Sequence, residues 1–128
     1  MIELRRGEVV LVAFPFVAAG AVHRKPRPAL VVQADRYNAR RAVVILAAIT
    51  SAQVRRELPC KVSVARESPE GRQAGLRTDS VVDGQTLVTI PREEILRRLG
   101  RFPPATMRRI DRALEDALGL EGSERRRV

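Results

Sequence analysis

The sequence predicts a mainly β domain with α additions, built as a small antiparallel β-barrel that ends in one substantial helix. Short apolar runs separated by polar, Gly- and Pro-containing segments indicate the strands. Apolar residues at helical spacing near the C-terminus indicate the helix. A chain of 128 residues is sized for a single domain. We assign that domain to residues 1–120 and expect the charged segment 121–128, which has little to bury, to be disordered.

The first half of the chain alternates apolar runs with basic segments. Gly7 and Pro15 bound the first apolar run, because proline and glycine interrupt regular strands. The next two runs are continuously apolar, which is typical of central strands buried on both faces. Strands are therefore predicted at residues 8–14, 28–33 and 42–49, with a loop at 17–26 and a turn at 35–38.

The second half carries shorter strands before the helix. Cys60 lies in an alternating pattern and is predicted to be a small buried residue. We expect strands at residues 60–64, 79–82, 87–90 and 96–102, loops at 51–59 and 66–76, and a helical turn at 91–95. The helix begins near Ala105 and ends at Gly119. Its predicted apolar face consists of Met107, Ile110, Leu114, Ala117 and Leu118.

The charge of the chain indicates an anionic partner. The net charge is +9 and the pI about 11.4. Residues 1–66 carry twelve basic and four acidic side chains, so the positive charge is concentrated in the first half. A single cysteine rules out an internal disulfide and fits a reducing compartment. With no apolar stretch long enough to span a membrane and no signal-peptide core at the N-terminus, we expect a cytoplasmic protein.

The inventory of reactive side chains removes several mechanisms. His23 is the only histidine, so one protomer cannot supply a pair of imidazoles for acid–base catalysis. Acidic residues do not cluster at metal-ligand spacing, so we expect no metal and no cofactor. No glycine-rich phosphate loop follows a strand. Phosphoryl chemistry on RNA remains feasible, because the substrate's own 2′-hydroxyl is a tethered nucleophile.

Arg27 is the first candidate catalytic residue. It lies between Pro26 and Pro28, which restrict the backbone where a loop leads into a buried strand. A planar, permanently cationic guanidinium on a stiff backbone is suited to stabilise the charge of a phosphoryl transition state. Thr50 and Ser51 come directly after a central apolar run, where their hydroxyls could bond a phosphate oxygen or orient the 2′-hydroxyl.

Several segments in order resemble the MazF/PemK-type (Kid-like) toxins of toxin–antitoxin pairs. These are Gly7 to Val12, Arg27 to Gln33, Ala48 to Ser51, Leu76 to Val82 and Gln85 to Ile90. The resemblance implies an SH3-like β-barrel with a C-terminal helix, assembled as a homodimer. It also implies metal-independent, sequence-specific cleavage of single-stranded mRNA that leaves a 2′,3′-cyclic phosphate.

The same resemblance assigns roles to individual residues. It places the catalytic positions on Arg27 and Thr50. It places RNA contacts on Ser51, on Gln85 and in the segment 17–25, which gates the cleft and includes Arg24 and Lys25, with Phe16 at its edge. The implied partner is an antitoxin whose acidic, disordered tail occupies the RNA site. Many relatives have an acidic residue just before the position of Gln85, where this chain has Gly84.

Two other functions fit parts of the sequence. A non-catalytic toxin of the same fold would bind a protein such as DNA gyrase through its C-terminal end, and here that end is charged and lacks an aromatic anchor. An RNA-binding module without cleavage would share the basic charge. Mapping of cut sites in mRNA separates the nuclease from both alternatives.

Overall fold

The computed structural model describes residues 2–51 and 58–120. The strands are β1 Glu8–Ala18, β2 Ala21–Val31, β3 Val43–Ser51, β4 Lys61–Val64, β5 Ser80–Pro91 and β6 Ile95–Arg101. The helices are α1 Asp35–Asn38, α2 Pro69–Gln73 and α3 Pro104–Leu118, with a 3₁₀ turn at Arg92–Glu94. The predicted loop at 51–59, with Arg55 and Arg56, and the predicted tail at 121–128 lie wholly or largely outside the described residues.

One antiparallel sheet contains all six strands in the order β4-β5-β3-β2-β1-β6. The predicted fold class is confirmed, with the difference that this sheet is open and not a closed barrel. The four-residue β4 and the seven-residue β6 are its two edges. The continuously apolar runs form β2 and β3 in the middle of the sheet, as their pattern predicts.

The two faces of the sheet bury separate apolar clusters. On the first face, α3 packs Ile110, Ala113 and Leu114 against β3, β4 and β5. On the second face, Val12, Leu46 and other strand residues pack around Leu4 from the N-terminal segment. Each strand therefore contributes alternate residues to opposite faces, and this alternation decides which face each candidate site residue occupies.

The predicted loop at 17–26 is wrong, because β1 and β2 continue as a long hairpin. They pair without interruption from Val9 opposite Leu30 to Ala18 opposite Ala21. The two connecting residues, Ala19 and Gly20, have φ of 53° and 76°, the left-handed combination that closes two-residue hairpins. The loop prediction failed because Pro26, Gly20 and the alanines of this segment are disfavoured in strand interiors.

Three further predictions need correction. The segment 66–76 contains α2, whose first turn is capped by Ser68 accepting a hydrogen bond from Gly71. The two predicted strands at 79–82 and 87–90 form the single strand β5, which begins at Ser80. Leu118 is 57% exposed and therefore lies largely outside the apolar core. Cys60 is buried, the helical turn at 92–94 is present and Gly119 ends α3 in the left-handed conformation, as predicted.

No helix in the described part of the chain is long and apolar enough to cross a membrane.

Candidate active site

Arg27 and Thr50 line the same cavity, of about 270 Å³, on the second face of the sheet. The register places Arg27 opposite Val12 of β1, and alternation places it on the same face as Ala29 and Val31. Thr50 lies two residues after Ala48 on the corresponding face of β3. The central pairing of β2 with β3 thus brings together two residues that are 23 positions apart in the sequence.

The guanidinium of Arg27 lies against the ring of Phe16, with 5.2 Å between Cζ and the ring centroid. Within residues 2–51 and 58–120, Arg27 Nε is the one buried side-chain nitrogen or oxygen that lacks a hydrogen-bond partner. A buried donor without a hydrogen-bond partner destabilises the folded protein, unless a bound ligand supplies an acceptor. An unpaired cationic donor beside an open cavity is the arrangement expected of a site that receives an anion.

Phe16 also stacks on His23, the residue opposite it in the β1–β2 hairpin. The ring centroids are 5.6 Å apart at an interplanar angle of 29°. His23 Nε2 lies 3.0 Å from the carbonyl oxygen of Ala18. The ring of Phe16 therefore contacts both the imidazole of His23 and the guanidinium of Arg27. Sequence analysis did not assign His23 to the site, because only the register of the hairpin brings its ring to Phe16.

The opposite wall of the cavity contains Thr86, which sequence analysis also missed. Thr86 lies in a bulge of β5, because Ala47 pairs with Leu87 while the next residue, Ala48, pairs with Asp83. The carboxylate of Asp83 holds this bulge by accepting hydrogen bonds from the Gln85 N–H and the Thr86 hydroxyl, both at 2.9 Å. The interruption of strand alternation at residues 83–86 was the available sequence signal.

The other predicted RNA-binding residues lie at different distances from the cavity. Lys25 is exposed on the same face as Arg27, and Gln85 is exposed in the bulge beside Thr86. Arg24 lies on the opposite face and forms an ion pair of 2.9 Å with Glu94. Ser51 pairs with Ser80, so alternation turns it away from Thr50.

A second cavity, of about 370 Å³, lies on the first face, where Ser80 contributes to its lining. The structure thus brings Arg27, Thr50 and Phe16 together and leaves Arg24 and Ser51 outside this group. In the part of the chain that the structure describes, no group of three or more His, Cys, Asp or Glu side chains could hold a metal ion.

Comparison with known proteins identifies the family of this chain. The family model of PemK-like, MazF-like toxins of type II toxin–antitoxin systems matches residues 5–118. A probable endoribonuclease MazF of Mycolicibacterium smegmatis is 34% identical over 93% of this chain and 100% of its own length. The endoribonuclease MazF6 of Mycobacterium tuberculosis is 36% identical over 80% of this chain and 86% of its own.

Solved structures show the same fold. An endoribonuclease from a mycobacterial species superposes with a TM-score of 0.71 at 28% identity, covering 94% of this chain and 95% of that one. A mycobacterial endoribonuclease in complex with its cognate antitoxin superposes with a TM-score of 0.69, also at 28% identity, covering 92% and 97%. The chain therefore belongs to the family of PemK-like and MazF-like toxins of type II toxin–antitoxin systems, which confirms the resemblance seen in the sequence.

Proposed function

We propose that this toxin is an endoribonuclease that cleaves single-stranded mRNA and thereby inhibits translation and growth. The observation that carries the proposal is the cavity shared by Arg27 and Thr50, in which a buried guanidinium donor has no partner within the described protein. Its relatives of 34% and 36% identity are named as endoribonucleases.

The proposed reaction uses the RNA's own 2′-hydroxyl. Its oxygen attacks the adjacent phosphorus, the bond to the 5′-oxygen of the next nucleotide breaks, and a 2′,3′-cyclic phosphate and a 5′-hydroxyl result. The proton lost by the 2′-hydroxyl is balanced by the proton gained by the leaving oxygen. Arg27 stabilises the negative charge that accumulates on the phosphorane oxygens. Its second role is to donate a proton to the leaving 5′-oxygen. Thr50 orients the 2′-hydroxyl or bonds a phosphate oxygen.

The charge of the protein supports the proposed partners. Besides RNA, we propose a cognate antitoxin with an acidic segment, because a mycobacterial relative of 28% identity is seen in complex with its antitoxin. An acidic segment is attracted to the basic first half of this chain. We further propose that the toxin is a homodimer and acts in the cytoplasm, where mRNA is translated.

Mapping of RNA 5′ ends after brief induction tests the activity. Discrete cuts in wild-type cells that disappear with an inactive variant support the nuclease. Intact transcripts together with blocked DNA replication support the gyrase-binding alternative. Intact transcripts that co-purify with the protein support RNA binding without cleavage.

The Thr50 hydroxyl provides a sharper test of the mechanism. We expect Thr50→Val, which keeps the shape and removes the hydroxyl, to lose cleavage by at least about 100-fold while retaining most RNA affinity. One hydroxyl contributes less to binding than the several phosphate contacts do. Thr50→Ser retains the hydroxyl and is expected to keep most activity. Parallel losses of binding and rate in Thr50→Val would contradict the assignment.

Cleavage is also expected to continue in excess EDTA. The acidic residues of the sequence do not cluster at metal-ligand spacing, which motivates this prediction. Arg27 and Thr50 would supply charge stabilisation and a hydroxyl without a Lewis acid. The measurement is the initial rate on a fluorogenic RNA with and without chelator. Full inhibition that is restored by a divalent cation would overturn the mechanism.

A further inference from the structure

A basic and aromatic surface lies around α1, and the proposed active site does not use it. Four exposed residues form this surface, named here the α1 patch: Arg36, Tyr37, Arg40 and Arg41. The guanidinium carbons of Arg36 and Arg41 lie 4.8 Å and 6.0 Å from the centroid of the Tyr37 ring. Tyr37 is 41% exposed, whereas Phe14 and Phe102 are buried and Phe16 is half-buried.

The α1 patch is separate from the cavity. It precedes the first residue of β3, Val43, whereas Thr50 lies near the other end of that strand. At about 3.3 Å per residue, the strand separates Val43 from Thr50 by roughly 23 Å. A ligand that reaches both regions must therefore be long and extended.

Buried hydrogen bonds hold the backbone under the patch. Asn38 is 1% exposed and donates to the carbonyl oxygen of Gln33 at 2.9 Å. The buried guanidinium of Arg92 donates to the carbonyl oxygens of Asn38 and Arg41. The patch is thus presented on a fixed support, which reduces the conformational entropy lost on binding.

Few acidic groups oppose the cations of the patch. The carboxylate of Asp35 accepts hydrogen bonds from the backbone N–H of Arg6 at 2.6 Å and from Asn38 at 3.1 Å. The hydrogen bond from the Arg6 N–H lowers the pKa of Asp35, so this carboxylate is ionised at neutral pH. Its oxygen Oδ1 already accepts the two hydrogen bonds from Arg6 and Asn38. Glu3 is the carboxylate in the neighbouring depression, which Arg40 and Arg41 also line.

We propose that the α1 patch binds single-stranded RNA outside the cleavage cavity, an inference that rests on the proposed nuclease function. The guanidinium groups contact phosphates, and the exposed face of Tyr37 stacks on a base. An exposed ring beside two guanidinium groups favours RNA over an acidic protein segment, since such a segment offers carboxylates but no base to stack. The patch would hold the substrate strand as it leaves the cavity.

Binding of uncleavable RNA tests this proposal. The probes are 2′-O-methyl oligonucleotides of about 3 and about 16 nucleotides, because only the longer one can span the roughly 23 Å between the two regions. The variants are the double change Arg36→Ala with Arg41→Ala, and the single change Tyr37→Leu. A matched control, Arg108→Ala with Arg109→Ala, removes the same charge from exposed positions on α3.

The affinity for the longer probe falls as salt rises, and the slope of log affinity against log salt is negative. Loss of the arginine pair should make this slope less steep by about 1.4, which corresponds to two phosphate contacts. Tyr37→Leu should weaken the longer probe about tenfold without changing that slope. Neither variant should affect the shorter probe, and the α3 control should leave the slope unchanged.

Equal losses for both probes, or an unchanged slope in the arginine variant, would overturn the proposal. So would weaker binding of a poly-glutamate peptide together with unchanged RNA binding, because the patch would then belong to an acidic protein partner. Cleavage of a natural transcript by the wild-type protein is measured in parallel. Cleavage without a role of the patch refutes this inference alone, whereas absence of cleavage refutes the proposed function.

Discussion

Arg27→Ala is expected to lower the rate of RNA cleavage by about 100- to 1,000-fold, the cost of removing one preorganised donor to a developing oxyanion. The side chain lies in the cavity with Thr50, packs on Phe16 and keeps Nε without a partner in the described protein. Because that donor has no structural hydrogen bond to lose, its removal should leave the free energy of unfolding close to the wild-type value.

Arg27→Lys is the matched comparison, since it keeps the charge and removes the planar fork of donors. A lysine cannot contact two phosphate oxygens in the bidentate way and cannot stack on Phe16 as a planar group does. We therefore expect it to recover RNA binding but little of the rate. Single-turnover cleavage and urea unfolding are measured on the same preparations. An alanine variant that cleaves at the wild-type rate would remove Arg27 from the mechanism.

Much of the central sheet and the two main catalytic candidates could be predicted from the sequence. Continuously apolar runs are typical of strands covered on both faces, and here they form the central strand β3 and the end of the central strand β2. Arg27 was found because its two prolines restrict the backbone, and Thr50 because it follows an apolar run directly. Their meeting in one cavity depends on the pairing of β2 with β3, which local pattern does not specify.

The remaining parts of the site depend on register. Residues 14–26 of the hairpin contain two prolines and several small residues, which local preferences assign to a loop, but pairing with a long partner strand outweighs these preferences. His23 reaches Phe16 only through this register. Arg24 and Lys25 are adjacent in the sequence, yet strand alternation places their side chains on opposite faces of the sheet. The sequence pattern alone therefore could not show that only Lys25 lies on the face of Arg27.

Gly84→Asp, which introduces the acidic residue that the sequence resemblance implies just before Gln85, is expected to destabilise the protein by about 3 kcal/mol. A Cβ on Gly84 would lie 2.7 Å from the Cys60 carbonyl oxygen and 3.2 Å from that of Ala113 in α3. Both are backbone atoms, so β4 or α3 would have to move. A carboxylate placed there would also face carbonyl oxygens that repel it.

Gln85→Asp introduces the same charge at the next, exposed residue and should leave the urea midpoint nearly unchanged. Gly84→Ala separates the steric effect from the charge and should cost about 2 kcal/mol. A stable Gly84→Asp protein would show that the backbone at Cys60 and at Ala113 shifts easily. The close packing at Gly84 leaves no room for a side chain, whereas the carboxylate of the preceding residue, Asp83, holds the bulge that places Thr86 in the cavity.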